Sequence, residues 1–242
     1  MDRPDDSRLK SLATVVLGSA VFVLVVVVIN VAVQALFGAA MVSSLRARTT
    51  IELAGAMGSE ILVLVLLLVY LRRRGVRLRQ IGFWIPAPAR GWIAAAAVAA
   101  LFIWFNLALP LRGQRNLAEL SLFHVYNSLV AGLTAGFVEE IFFRGFFMTE
   151  LAWAGFGKTA QVTVSAVLYG LVHSAWGITS GMFTFQMVGG AVIGTAVFGA
   201  FCSIVYLISR RSLMPIVAGH AVIDFVIEPW LFMVAITMSQ AH

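Results

Sequence analysis

The chain of 242 residues is short of charge and of cysteine. Asp, Glu, Lys and Arg make up 12% of it, against 61% hydrophobic residues. That balance excludes a water-soluble globular domain, in which about a quarter of residues are charged. The single cysteine, Cys202, permits no intrachain disulfide; it lies in an apolar run and reads as a small packing residue. Zinc-type Cys/His spacing, a Gly-rich phosphate loop and the His-Glu-x-x-His of soluble zinc proteases are all missing. No internal repeat or low-complexity tract interrupts the alanine and valine bias.

Apolar runs near 20 residues recur along the chain, the mark of an all-α, polytopic transmembrane helical bundle. A closed barrel would show short alternating segments instead. The spacing predicts spans over 12–42, 51–71, 91–109, 129–154, 159–176, 182–209 and 213–238, with Gly190 and Gly194 placed for close helix contact in the sixth. The first run is too long for the core of a signal peptide. Residues 43–50, with Arg46 and Arg48, read as a loop. Residues 72–90 form a basic loop in which Pro86 and Pro88 stop any helix. Residues 111–127 read as an interfacial helix carrying His124. An eighth span, from splitting the first run or inserting 111–127, would move the C-terminus to the other side.

Loop charge sets the orientation. With the N-terminus inside, the inner segments carry Arg3, Arg8, Lys10, the six loop arginines 72, 73, 74, 77, 79 and 90, Lys158, Arg210 and Arg211. The outer segments carry Arg46, Arg48, Arg112 and Arg115. The excess predicts a multi-pass protein of the plasma membrane with a cytoplasmic N-terminus, in contact with lipid. The net charge of +6 belongs to these loops and not to nucleic-acid binding.

Inside the fourth span stand Glu139, Glu140 and Arg144. Ionisable groups at membrane depth cost about 2.5–3.5 kcal/mol each on insertion scales and mark functional sites by default. Glu140 and Arg144, four apart, share a face and can pair. Glu139 is turned about 100° away and needs another partner. A structural ion pair locking two helices is the competing reading. Glu60, in the second span, reads as a buried packing or hydrogen-bonding group.

Two histidines in other spans sit in four-residue steps, Tyr169…His173 and His220…Asp224, so each pair shares one helix face. Glu139 and His173 both lie 17 residues from Phe156, the centre of the hairpin between the fourth and fifth spans. Both are then roughly 25 Å from the turn, at matched depth. His220 is only eight residues past Ser212, roughly 12 Å along its helix. Either the hairpin projects beyond the membrane or the turn is elsewhere. Carboxylate and imidazole at one water form a general-base pair for hydrolysis, and a second imidazole with its neighbour could steady an oxyanion. Two histidines and a carboxylate are also a zinc ligand set.

These three motifs, in this order, resemble the CAAX-protease and bacteriocin-processing (CPBP, or Abi) intramembrane endopeptidases: E-E-x-x-x-R, F-x-x-x-H and H-x-x-x-N. The resemblance covers roughly residues 125–235. It implies a CAAX-protease-like core at 125–238, preceded at 1–124 by N-terminal transmembrane helices and the basic loop. It implies that Glu139 and His173 activate water, that His220 and Asp224 stabilise the oxyanion, and that Glu140 and Arg144 orient the site. If a metal serves, it is zinc on Glu139, His173 and His220. The substrate would be a peptide or a membrane-tethered protein, cleaved near the cytoplasmic face, in a bacterial member of the family. Two positions depart from the pattern. Tyr169 replaces phenylalanine and adds a hydroxyl. Asp224 replaces asparagine, and an ionised Asp cannot donate to an oxyanion; it is either protonated by burial or orients His220. The alternative is a non-catalytic scaffold, immunity or partner-assembly protein on the same fold.

Overall fold

A computed structural model describes residues 4–43, 45–108, 122–180 and 185–240. The helices are α1 (Pro4–Ser43), α2 (Leu45–Arg73), α3 (Ala89–Ala108), α4 (Leu122–Glu139), α5 (Met148–Trp153), α6 (Lys158–Ser180), α7 (Phe185–Ile208) and α8 (Met214–Gln240). A π-helical stretch, Glu140–Phe147, carries α4 into α5 without a break, so the described residues form seven helical rods. Within α1, α2, α3 and α7, the stretches Ser7–Met41, Thr50–Arg73, Ala89–Asn106 and Val188–Ile208 are long and apolar enough to cross a membrane. The rods carrying the polar motifs, α4–α5, α6 and α8, pack among them.

Local chemistry explains most of the boundaries. Pro86 and Pro88 keep the chain out of helix until α3 starts at Ala89, and Pro215 occupies the first turn of α8, where no N–H is needed. A short 3₁₀ turn, Leu78–Ile81, fills the basic loop. The expected loop at 43–50 is a different matter: α1 runs to Ser43 and α2 has begun by Leu45. No glycine or proline stands there to break a helix. Arg48 donates to Glu52 at 2.9 Å, an i,i+4 pair that supports the helix. The first run is likewise one continuous helix and does not split into two spans. Residues 111–121 lie outside the described residues, as does the side chain of His124.

Close helix contact occurs elsewhere than at Gly190 and Gly194, where an added Cβ would meet nothing within 4 Å among the described residues. It occurs at Gly170 of α6, where a Cβ would lie 2.5 Å from the Val192 carbonyl oxygen of α7. Glycine spacing identifies a smooth face without saying what lies against it.

The basic segments gather at one end of the bundle. Arg8 donates to the Gly155 carbonyl at the hairpin tip, Arg90 to that of Ile208, and Arg74 bonds Glu150 at 2.8 Å. Ser11 reaches the other oxygen of Glu150, so one carboxylate ties α1 and α2 to α5. Arg211 bonds the Met148 carbonyl and Gln161. Arg211, at the turn into α8, is therefore level with Met148, well short of the α5–α6 turn at Ala154–Gly157. The hairpin projects past the neighbouring turn, which resolves the mismatch in depth. Glu139 lies nine residues before Met148 and His220 nine after Arg211, so both sit roughly 13 Å above a common level.

Between that level and the motifs lies an aromatic plug. Phe142, Phe143, Phe146 and Phe147 are all buried, and Phe22 of α1 meets Phe142 edge to face at 5.3 Å. Such ring pairs add about 0.5–1.5 kcal/mol each beyond their packing area.

Candidate active site

Glu139 is the last residue of α4 and Glu140 the first of the π turn. A π turn widens the helix by one residue and leaves carbonyls for outside partners, and such turns occur often at functional sites. Here Ser165 of α6 donates to the Phe143 carbonyl at 3.0 Å. Arg144 donates to Glu140 Oε1 at 3.0 Å and to the Gly199 carbonyl of α7 at 3.1 Å, with its guanidinium 4.4 Å from the Tyr169 ring centroid. Gly199 has to be small: a Cβ there would stand 2.9 Å from Tyr169 Cδ1 and 3.2 Å from Arg144 Nη2. The Glu140–Arg144 pair is fully buried. The same Glu140 oxygen receives His220 Nδ1 at 2.8 Å. Because a carboxylate only accepts, Nδ1 carries the hydrogen and Nε2 faces the other way.

Glu139 finds its partner in Tyr169, whose hydroxyl donates to Oε2 at 2.7 Å. The other oxygen, Oε1, lies 3.6 Å from His173 Nε2. His173 Nδ1 is 2.8 Å from the Tyr169 carbonyl, which can only accept, so Nδ1 is protonated and the lone pair of neutral His173 sits on Nε2, beside Glu139. His220 Nε2 is 3.9 Å from Glu139 Oε2 and 3.4 Å from Asp224 Oδ2. All seven sequence-predicted site residues, Glu139, Glu140, Arg144, Tyr169, His173, His220 and Asp224, thus meet in one cluster built by α4, the π turn, α6 and α8. Access is uneven: the side chains of Glu139 and His220 are 4% exposed, those of His173 and Asp224 18%. The cluster is closed by the aromatic plug on one side and opens on the other.

Residues 120–226 match the family of Rce1-like type II CAAX prenyl endopeptidases. The chain carries an Rce1-like domain. The described residues are all-α, with four helices long and apolar enough to cross a membrane, and the buried Glu139, Glu140 and His220 are consistent with that family's catalytic residues. No curated protein and no solved structure matched the chain.

The zinc set implied by the resemblance does not fit this Rce1-like domain. Among the described residues, no group of three or more His, Cys, Asp or Glu side chains converges as a metal shell would. No step below is routed through a metal.

Two features of the Rce1-like site escape a motif reading. The Tyr169 hydroxyl is a direct partner of Glu139 rather than a mild addition. Glu228 continues the four-residue steps of His220 and Asp224 on α8, and its Oε2 is buried without a hydrogen-bond partner among the described residues. The step itself was the available signal. Glu60 is 6% exposed, buried as expected for its span.

Proposed function

We propose that the protein is an intramembrane endopeptidase that hydrolyses a peptide bond of a membrane-associated protein or peptide. Supporting this reading above all is the 3.6 Å gap between Glu139 Oε1 and His173 Nε2, which lets one water hydrogen-bond to both. Tyr169 holds the opposite oxygen of Glu139, so Oε1 is the one aimed at the water. In the proposed reaction, Glu139 takes a proton from the water as the oxygen attacks the scissile carbonyl. His173 accepts the water's other hydrogen bond and fixes its direction. The tetrahedral oxyanion falls to the buried His220 Nε2 and to Asp224, which lies on the more exposed side of the cluster. Glu139 then returns the proton to the leaving amine. Glu140 and Arg144 keep His220 turned by holding its Nδ1 side.

The catalytic core in this reading is 125–238. Residues 1–124 supply flanking helices and a cytoplasmic basic loop in a plasma-membrane protein whose N-terminus is cytoplasmic. The test is mass-spectrometric mapping of the products when the purified protein, in detergent, meets a library of apolar transmembrane peptides. Discrete cuts that require the protein support hydrolysis. A fully buried ion pair would equally suit a non-catalytic scaffold, and an uncut library alongside a stable partner complex would favour that reading.

A further inference from the structure

The basic loop between α2 and α3 is an ordered platform, tied by hydrogen bonds to the end of α7 and the turn into α8. The Leu213 N–H donates to the Gly82 carbonyl at 3.1 Å, and the Ser212 hydroxyl to that of Ile85 at 2.6 Å. Tyr206 donates to the Ile81 carbonyl at 3.3 Å, and Arg90 to that of Ile208 at 3.2 Å. Ile81 and Phe83 are buried beneath the loop. Gly82 lets the two segments touch, because a Cβ there would collide with the Arg211 carbonyl oxygen.

The outer side of this platform carries charge of one sign. Residues 72–90 and 207–213 hold eight arginines and no Asp or Glu. Arg74 is spent on Glu150, Arg90 on the Ile208 carbonyl, and Arg211 on the Met148 carbonyl and Gln161. Arg72, Arg73, Arg79 and Arg210 are exposed, and their side chains make no hydrogen bond or ion pair among the described residues. Membrane topology asks only for charge near the span ends; it does not ask for an ordered surface.

The backbone sets this surface apart as well. Among the described residues, the non-glycine residues with left-handed φ are Trp84 at 60°, Arg210 at 55° and Arg211 at 63°. A Cβ disfavours that conformation, and for a side chain as bulky as tryptophan it is a true outlier. All three residues belong to the platform. The conformation turns Trp84 outward: it is 69% exposed, with its ring meeting Phe83 edge to face at 4.7 Å. Trp92, in the first turn of α3, is 47% exposed. Indole rings concentrate at the membrane–water boundary, at the level of the lipid headgroups. Local strain that displays a tryptophan beside unpaired arginines points to a surface that something covers.

We propose that this platform is a docking surface for the headgroups of anionic phospholipids. Arg72, Arg73, Arg79 and Arg210 would hold phosphate oxygens, and Trp84 would insert beside them at the boundary. A guanidinium offers phosphate a pair of parallel N–H donors. An acidic segment of a protein partner would satisfy the same arginines; the exposed indoles favour lipid. The platform lies roughly 13 Å along the helices from the level of Glu139 and His220, and the proposal does not depend on the hydrolytic reading.

The test is lipid binding to the full-length protein. Purified in neutral detergent, it is titrated with dioleoylphosphatidylglycerol and, separately, with dioleoylphosphatidylcholine, and bound lipids are counted by native mass spectrometry. Each basic side chain near an anionic lipid surface favours binding about fivefold. The first phosphatidylglycerol should therefore bind at least about tenfold tighter than the first phosphatidylcholine. Arg72→Gln/Arg73→Gln and Arg79→Gln/Arg210→Gln should each cut that preference, and the quadruple variant should abolish it. Arg48→Gln removes the same charge at the far end of α2, where Arg48 is paired to Glu52, and should keep the preference. An unchanged melting temperature confirms the fold of each variant, and the two double variants decide the matter if the quadruple one accumulates poorly. Millimolar inorganic phosphate and an acidic octapeptide, added as competitors, should leave the preference in place. Equal binding of the two lipids to the unaltered protein would overturn the proposal, as would a preference that survives loss of these arginines. Displacement of the lipid by phosphate would make the platform a site for soluble anions, and displacement by the peptide would assign it to a protein partner. Either displacement overturns lipid docking.

Discussion

The Tyr169 hydroxyl donates to Glu139 Oε2 at 2.7 Å, joining α6 to the last residue of α4. This leaves only one oxygen of Glu139 free, and that oxygen faces His173. A hydrogen bond to a charged group is worth about 1.5–3 kcal/mol. Tyr169→Phe, which restores the residue usual in the resembling family, should fold normally and lower kcat about 10- to 100-fold with little change in KM. Steady-state kinetics on a cleavable peptide check this, and an unchanged kcat would mean that the bond does not aim Glu139.

Glu140 and Arg144 are each fully buried and hold one another at 3.0 Å. Removing one member strands the other's charge, at about 3–5 kcal/mol. Glu140→Gln and Arg144→Met should each reduce accumulation in the membrane and lower the melting temperature in detergent. The double variant should lose less than the two single losses combined. Single variants that accumulate and melt like the unaltered protein would place the pair outside the fold's support.

Gly199 and Gly190 offer a contrast on one helix. A Cβ at Gly199 presses on the Tyr169 ring and the Arg144 guanidinium, whereas one at Gly190 meets nothing within 4 Å among the described residues. Overpacking of this kind costs about 1–3 kcal/mol. Gly199→Ala should lower both melting temperature and activity, and Gly190→Ala should change neither. Equal effects of the two would show that Arg144 reaches α7 some other way.

Much of this arrangement is legible in the residues. Each four-residue step puts its polar pair on one face whatever the tertiary fold, so Glu140–Arg144, Tyr169…His173 and His220…Asp224 could be grouped from spacing alone. The matched depth of Glu139 and His173 follows from rise per residue and a glycine-bearing turn. What spacing cannot carry is the π turn at Glu140–Phe147, because its extra residue is held by Ser165 and Arg144 reaching across to other helices. The overhang of the α5–α6 hairpin depends on Arg211 finding Met148 and Gln161. The helical state of Arg46 and Arg48 turns on the absence of a breaker, a weaker signal than their charge. Glu228 was visible as the third step on α8 but falls outside the motifs.

Asp224 stands 3.4 Å from His220 Nε2, with its side chain on the open side of the cluster. An amide at this position offers His220 an acceptor and an oxyanion a donor without needing a proton. Asp224→Asn should keep neutral-pH activity within about tenfold and flatten any fall on the alkaline side. Loss of one oxyanion stabiliser typically removes about 100–1000-fold in rate. A pH–rate profile depressed more than about 100-fold at every pH would remove the donor role and leave only the orienting one.

Glu139 carries the account most directly. Glu139→Gln keeps shape and an acceptor for Tyr169 but cannot take a proton from water. Purified Glu139→Gln and unaltered protein should be compared at equal, folded concentrations on the same cleavable transmembrane peptide, with products quantified by mass spectrometry. Hydrolysis through this carboxylate predicts that cleavage falls at least about 100-fold while accumulation and melting temperature hold, as expected when a general base is lost. Cleavage that persists near the unaltered rate in the folded variant would contradict it.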